Sequence, residues 1–283
     1  MLLDGRGFAK ELQGEIAAEV EAYQAQYGHV PRLAVVQVAG DEAADRYVRS
    51  IRKRCSTVGL DVTLEYLPAE TTQAQLDAAI AALSADSATH GILLQMPLPA
   101  PLSTEAALRH LNHEKDVDGI HPINAGLLAQ GRAALVPNTP AGGVALLRHY
   151  DIPLEGQRVA IVGRSAIVGR PLAALLINAH ATVTVCHSRT KDLAAVLRAS
   201  DMVCVAAGSP GLVRGDMLSP GVVVVDFGIN VLPDGTLTGD VDAASVEPVA
   251  GALTPVPGGT GPVTNMMLLR NVLAAARHQM GSA

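Results

Sequence analysis

Gly163-Arg-Ser-Ala-Ile-Val-Gly169 has the residue types and spacing of a turn that receives an anion. Val159-Ala-Ile-Val162 before it reads as a buried strand, and Pro171-Leu-Ala-Ala-Leu-Leu-Ile-Asn178 after it as a helix. Pro171 suits a first helical turn, where its missing N–H would have had no partner. At such a junction the unpaired N–H groups and the helix dipole both attract negative charge. Ser165 stands where the strict G-x-G-x-x-G pattern has its second glycine. Taken alone, the turn therefore also fits a βα connection that binds nothing.

The next segment bears on which anion. Thr182-Val-Thr-Val-Cys186 reads as the following strand, ending a little over twenty residues beyond Gly163, where NAD sites usually carry Asp or Glu for the ribose 2′-hydroxyl. Here the chain has His187-Ser-Arg-Thr190, with Arg164 available from the glycine turn. A carboxylate would repel a 2′-phosphate, whereas a hydroxyl and guanidinium groups bind one. The cofactor expectation is NADP rather than NAD. For Arg189 the plainer alternative is a solvated surface arginine.

These groups need a frame. Residues 8–27 put Leu12, Ile16, Val20 and Tyr23 at helical spacing. Leu33 to Val38 reads as a buried strand, Glu42 to Val58 as a helix closed by Gly59, and Val62 to Leu67 as a second strand. Thr71 and Thr72 can cap a helix over 73–84. Gly91 to Met96 is a third strand, broken by Pro97-Leu-Pro-Ala-Pro101. This rhythm predicts an α/β protein with a parallel sheet and functional groups gathered at the C-terminal strand ends, where Gln95 lies. From position alone Gln95 either lines a cleft or bonds a neighbouring loop. Lys115 to Pro122 is polar and turn-rich, and Asp116 and Asp118 there are able to cap turns. Beyond it the pattern predicts helices at 140–150 and 191–199 and strands at 202–206 and 222–225. Thr254 to Pro262 is too rich in Pro and Gly for regular structure, and a last helix follows at 264–279.

Composition narrows the functional class. With 283 residues, 49% hydrophobic and 17% charged, the chain suits one large or two small globular domains. Aromatics at 2% with no Trp argue against base-stacking platforms, and a net charge of −6 against a nucleic-acid or acidic-membrane partner. Cys55, Cys186 and Cys204 lack C-x-x-C spacing and fit buried thiols in a reducing cytosol. His110 and His113 form an H-x-x-H pair that no nearby carboxylate or cysteine completes, so no metal site is expected. No signal peptide or membrane span is legible, and the expected location is cytoplasmic.

Taken together, Tyr47-Val-Arg-Ser50, Gly91-Ile-Leu-Leu-Gln-Met-Pro-Leu-Pro99, Lys115-Asp-Val-Asp-Gly119, Val162 to Pro171, Asp226-Phe-Gly-Ile-Asn230 and Thr254-Pro-Val-Pro-Gly-Gly-Thr-Gly-Pro262 run through nearly the whole chain. In this order they resemble the bifunctional methylenetetrahydrofolate dehydrogenase/methenyltetrahydrofolate cyclohydrolase family. The resemblance implies two α/β domains with a cleft between them. Residues 1–138 would form a folate-binding catalytic domain completed by the C-terminal helix 264–283, and 139–263 a Rossmann-like parallel-sheet NADP domain. It also implies a homodimer that oxidises 5,10-methylenetetrahydrofolate with NADP and hydrolyses the methenyl product to 10-formyltetrahydrofolate. A folate- and NADP-binding paralogue without catalysis is the alternative from another class.

By position, the resemblance makes Tyr47 the active-site tyrosine against the folate, Gln95 the glutamine beside the reacting carbon, and Asp118 the acceptor of pterin N–H groups. Pro97, Pro257, Gly258 and Gly259 fall among the substrate contacts, and Gly163, Arg164, Ser165, Ile167, Ser188, Arg189 and Ile229 among the cofactor contacts. One position departs. The family carries a lysine four residues after the tyrosine, and here that position is Ile51, which has neither charge nor donor. A weak or lost cyclohydrolase step is the first expectation. The other is a fully bifunctional enzyme in which water takes over, or Arg54, nearly on the same helix face and about 4.5 Å further along the axis.

Overall fold

The strand Arg32–Val38 (β1) is the middle of a three-stranded parallel sheet, between Asp61–Leu67 (β2) and Gly91–Leu94 (β3). The computed structural model describes residues 1–40 and 42–281. Leu33 pairs with Val62 on one side and with Gly91 on the other. Six of the seven β1 residues are buried, which is why this strand reads as an unbroken apolar run rather than an alternating one. The edge strand β2 leaves Leu64 and Tyr66 exposed.

The helix Glu42–Val58 (α2) turns Ala44, Val48, Ile51, Cys55 and Val58 into the core, a stripe with steps of four and three residues. Gln73–Ala85 (α3) starts one residue after Thr72, which forms a capping box with Gln75. Thr71 instead donates to the Pro68 carbonyl at 2.6 Å. The strand β3 ends at Leu94, two residues short of the predicted Met96. Gln95 N–H still reaches Val36 O at 2.9 Å, but the residue before a proline is restricted and Pro97 has no N–H to extend the ladder.

A second sheet has five parallel strands. They are Arg158–Val162 (β4), Thr182–Cys186 (β5), Met202–Val205 (β6), Val223–Asp226 (β7) and Ala252–Leu253, with spatial order β5-β4-β6-β7 and then the Ala252–Leu253 strand. The chain runs from β4 outward to β5, then returns to the far side of β4 as β6. That reversal puts the topological switch point at the C-terminal ends of β4 and β6, where open α/β sheets bind ligands. Val162, Val203, Val205, Val224, Leu197 and Leu218 share its core.

Each of these two parallel sheets anchors a compact unit. The five-stranded unit comprises Met1–Glu11, Leu128–Arg132 and Pro137–Met267, and the three-stranded unit comprises Leu12–Leu127, Ala133–Val136 and the chain from Leu268 onward. The final helix, Thr260–Gln279, begins inside the stretch expected to be irregular. Pro262 sits in its first turn, where a missing N–H costs nothing. Ser282 and Ala283, the end of the predicted segment 264–283, lie outside the described residues. Within the three-stranded unit this helix is tied down by Arg270 to Glu15 and Arg277 to Glu19, both at 2.6 Å, and by Asn271 Nδ2 donating to Val117 O at 2.9 Å.

The segment 115–122, expected as turns, passes into a helix at Pro122–Ala129, with proline in its first turn. No helix among the described residues is long and apolar enough to cross a membrane.

Candidate active site and nucleotide site

Within the three-stranded unit, α2 presents Tyr47 on the stripe next to its buried one. Tyr47 is 40% exposed, whereas Ile51 is 1% exposed and packs in the core. Ser50 and Arg54, one turn apart, share the Tyr47 side, and the Arg54 guanidinium donates to Ser50 Oγ. Desolvation pushes the Tyr47 phenol up to about 12, the nearby Asp118 carboxylate adds to the rise, and Arg54 opposes it. At neutral pH Tyr47 is thus a neutral hydroxyl, able to donate but not to act as a base. The fold brings Tyr47, Arg54 and Asp118 within electrostatic reach of one another.

Asp118 owes its position to a parallel bridge between Ile92 of β3 and Asp116. This bridge carries the Lys115–Gly119 segment alongside β3 toward the strand's C-terminal end, where Gln95 also lies. Of the two carboxylates, Asp116 is the turn cap. It is 1% exposed and accepts from His121 N at 2.7 Å and Asn124 Nδ2 at 3.0 Å. Burial pushes its pKa up, and those hydrogen bonds pull the other way. Lys115 is buried too, and its ammonium closes α3 by donating to Asp86 O at 2.7 Å. Asp118 is half-buried. A carboxylate so placed is chemically suited to accept paired N–H donors from a ligand.

Gln95, half-buried, lines a cavity of about 150 Å³ with Gly40, Ala44, Pro97 and Pro99. Ala44 lies one turn before Tyr47, so the cavity abuts the Tyr47 end of α2. Gln95 Nε2 donates to Met96 O at 2.9 Å, so the residue both lines the cavity and bonds a neighbouring backbone.

In the five-stranded unit the glycine turn follows β4 directly. Gly163 has φ +127°, and a Cβ there would come within 2.1 Å of Ala206 O, just beyond β6. A Cβ on Gly169 would meet Gly163 O at 2.2 Å. Only glycine permits this close approach of backbone to backbone at the switch point. Ser165 Oγ accepts from Val168 N at 3.1 Å and so closes the turn that leads into the helix Gly169–Asn178. Arg164, Ser165 and Ile167 remain exposed, Ile167 at 58%.

At the end of β5, Thr190 Oγ1 accepts from His187 N at 2.8 Å and His187 Nδ1 from Arg189 N at 3.1 Å, a tight turn that leaves Ser188 and Arg189 exposed. These observations fit a phosphorylated dinucleotide: two glycines open space against backbone, and cations and a hydroxyl stand at neighbouring strand ends.

Ile229, after β7, is 66% exposed. The loop before it is fixed by Asp226, which accepts from Gly228 N at 2.8 Å and Val241 N at 2.9 Å. Burial raises the Asp226 carboxyl to about 6 against those hydrogen bonds, and the neighbouring Asp240 adds to the rise. Pro257, Gly258 and Gly259 belong to this same unit, where Gly5 N donates to Gly258 O at 2.9 Å. A Cβ on Gly5 would strike Gly259 O at 1.7 Å, so the two segments touch backbone to backbone. Sequence reasoning missed the Ser50–Arg54 pair and Asp240. Ser50 and Arg54 do stand at i and i+4 on a predicted helix, which was the available signal.

Residues 3–118 match the model of the tetrahydrofolate dehydrogenase/cyclohydrolase catalytic domain, and residues 137–280 that of the family's NAD(P)-binding domain. The bifunctional protein FolD of Roseiflexus sp. strain RS-1 is 58% identical over 282 residues, covering 100% of this chain and 98% of that protein. The crystal structure of bifunctional FolD from Campylobacter jejuni superposes with a TM-score of 0.96 at 42% identity, covering 98% of this chain and 99% of that one. FolD from Trypanosoma brucei, solved with NADP cofactor and inhibitor, gives 0.92 at 39% identity over 99% of this chain and 98% of that one. With both halves matched in order and relatives aligned over full length, the chain belongs to the tetrahydrofolate dehydrogenase/cyclohydrolase family.

Proposed function

We propose that the protein oxidises 5,10-methylenetetrahydrofolate to 5,10-methenyltetrahydrofolate with NADP, and that its hydrolysis of the methenyl group to 10-formyltetrahydrofolate is slowed by Ile51. The supporting observation is that Tyr47, Gln95 and Asp118 share one unit while Gly163, Arg164, Ser188 and Arg189 share the other, in a chain both family models match. When bound, NADP supplies the hydride acceptor. The chain's own residues then have tasks of binding and orientation. Asp118 accepts pterin N–H groups, Tyr47 packs against the folate, Gln95 stands beside the reacting carbon, and Pro97, Pro257, Gly258 and Gly259 border the substrate. Arg164 and Arg189 neutralise the 2′-phosphate while Ser188 donates a hydrogen bond to it, and Gly163, Ser165, Ile167 and Ile229 complete the cofactor site. The deciding assay incubates the purified protein with methylenetetrahydrofolate and NADP, following NADPH and the methenyl chromophore separately. Absence of NADPH formation would favour a binding paralogue and overturn the reading.

The choice of NADP has its own test. A charge-assisted hydrogen bond to phosphate contributes about 1.5–3 kcal/mol, or roughly ten- to a hundredfold in affinity. Arg164→Ala is expected to raise KM for NADP by that factor and leave KM for NAD nearly unchanged. Equal effects on both cofactors would remove the basis for the assignment.

A homodimer is also proposed, and the β2 edge supports it. An unpaired edge strand carrying exposed Leu64 (38%) and Tyr66 (51%) is a surface that proteins cover or pair. Tyr66→Asp is expected to convert a dimer to monomer in size-exclusion light scattering. A wild type that runs as a monomer at micromolar concentration would refute this. A cytoplasmic location accords with the three cysteines, all free and buried.

A further inference from the structure

Asp240 is fully buried, at 0% exposure, yet its carboxylate touches no cation among its hydrogen-bond partners. Oδ2 accepts from Ala207 N at 2.6 Å and Gly208 N at 2.8 Å, and Oδ1 from Ser209 N at 2.8 Å and Asn230 Nδ2 at 2.9 Å. Three consecutive backbone N–H groups, with Gly208 at φ +64°, form a concave nest of the kind that binds anions. Here the chain fills the nest with its own carboxylate.

The nest follows β6 at the switch point, and its neighbour Ala206 is the residue whose carbonyl the Gly163 turn abuts. On its other side Asp240 holds Asn230, next to Ile229, while its own N–H donates to Asp226 Oδ1 at 3.1 Å. One buried side chain thus links the strand-end loops after β6 and β7 and, through Ala206, the glycine turn after β4. We propose that Asp240 is the positioning residue of the nucleotide site, setting the three strand-end loops in the shape that receives NADP. This rests on the NADP reading above, and the test separates the two.

Asparagine is the discriminating substitution. Its single acceptor oxygen can serve either Ala207 and Gly208 or Ser209 and Asn230, and its NH₂ then faces donors on the other side. In apo Asp240→Asn, hydrogen–deuterium exchange of the Ala207–Ser209 amides is expected to accelerate by at least about tenfold, because the anchored donors lose an acceptor. By calorimetry the same variant is expected to bind NADP about tenfold or more weakly, with little change in KM for the folate substrate. In Asp240→Ala, added formate is expected to restore both amide protection and NADP affinity in a saturable way, while leaving the wild type unaffected. A merely structural loss of packing would not respond to a small carboxylate.

Wild-type protection of these amides in folded Asp240→Asn overturns the proposal, whatever NADP does. Lost protection with unchanged NADP affinity overturns its functional half. Should Asp240→Ala fail to fold, the Asparagine variant alone decides by these two criteria. Failure of the wild type to bind NADP would sink the cofactor reading, and the exchange experiment would still test the anchor.

Discussion

Asp118→Ala is expected to remove most turnover of methylenetetrahydrofolate while the protein still folds and binds NADP. The folding expectation comes from the division of labour between the two carboxylates in this segment. Asp116 carries the local structure through His121 and Asn124, and Val117 is held by Asn271 from the final helix. Asp118 is half-buried beside Tyr47. A carboxylate accepting paired N–H donors from a pterin contributes through charge-assisted bonds of about 1.5–3 kcal/mol each, so two give a loss on the order of a hundredfold or more. Its removal also relieves one of the influences that raise the Tyr47 phenol, so the tyrosine should titrate lower in the variant. The measurement is steady-state kinetics with calorimetric NADP binding as the control. Folate kinetics near wild type would reduce Asp118 to a turn residue. By contrast, Asp116→Ala takes the acceptor from His121 N and from one N–H of Asn124, whose bond to His113 O at 2.8 Å remains, and should lower Tm.

The second large effect concerns hydrolysis. Hydride leaves the methylene carbon with a push from the adjacent folate nitrogen, so that step demands orientation and proximity rather than an acid or base. Hydrolysis needs water activated, a tetrahedral intermediate stabilised and a proton delivered to the leaving nitrogen, and a positioned acid–base group contributes about 10²–10⁴-fold. With Ile51 at the lysine's position, cyclohydrolase activity should fall by that factor relative to family members that keep the lysine. The methenyl intermediate should then accumulate visibly during turnover.

The buried place of Ile51 sharpens the expectation. It belongs to the same stripe as Val48 and Cys55, so its role in the fold is packing. Arg54, held on Ser50 near Tyr47, is the cation the site offers instead. It stabilises negative charge but transfers protons poorly, because its pKa is so high. Arg54→Ala should therefore abolish what hydrolysis remains while leaving the dehydrogenase step nearly intact. Ile51→Lys by itself should gain little, because the new ammonium would be repelled by Arg54, the cation already beside Tyr47. Combining it with Arg54→Ala should recover hydrolysis. Wild-type hydrolysis at the rate of lysine-bearing relatives would show that Ile51 imposes no defect.

The local pattern of residues determined most of the elements, because burial periodicity is a short-range property. The all-apolar β1, the stripe of α2 and the capping box at Thr72 follow from neighbours within a few positions. The same holds for the strand–glycine–helix junction at Gly163, and the ordered motifs carried the family. Short elements escaped for the complementary reason. The helix at Pro122–Ala129 and the start of the last helix lie in Pro- and Gly-rich sequence, where local preference favours turns and tertiary anchors decide.

Spacing alone left Asp116 and Asp118 equivalent, and only the bridge to Ile92 separates the cap from the half-buried carboxylate. Ile51 could be recognised as a departure from the family. That it sits in the core, with Arg54 on the neighbouring stripe, depends on which face of α2 meets the sheet. Asp240 was silent in the sequence because the three backbone N–H groups that hold it lie about thirty positions earlier, across a crossover between parallel strands. A buried carboxylate is tolerated only where N–H donors converge on it, and that convergence exists only once β6 and β7 are paired and their end loops brought together.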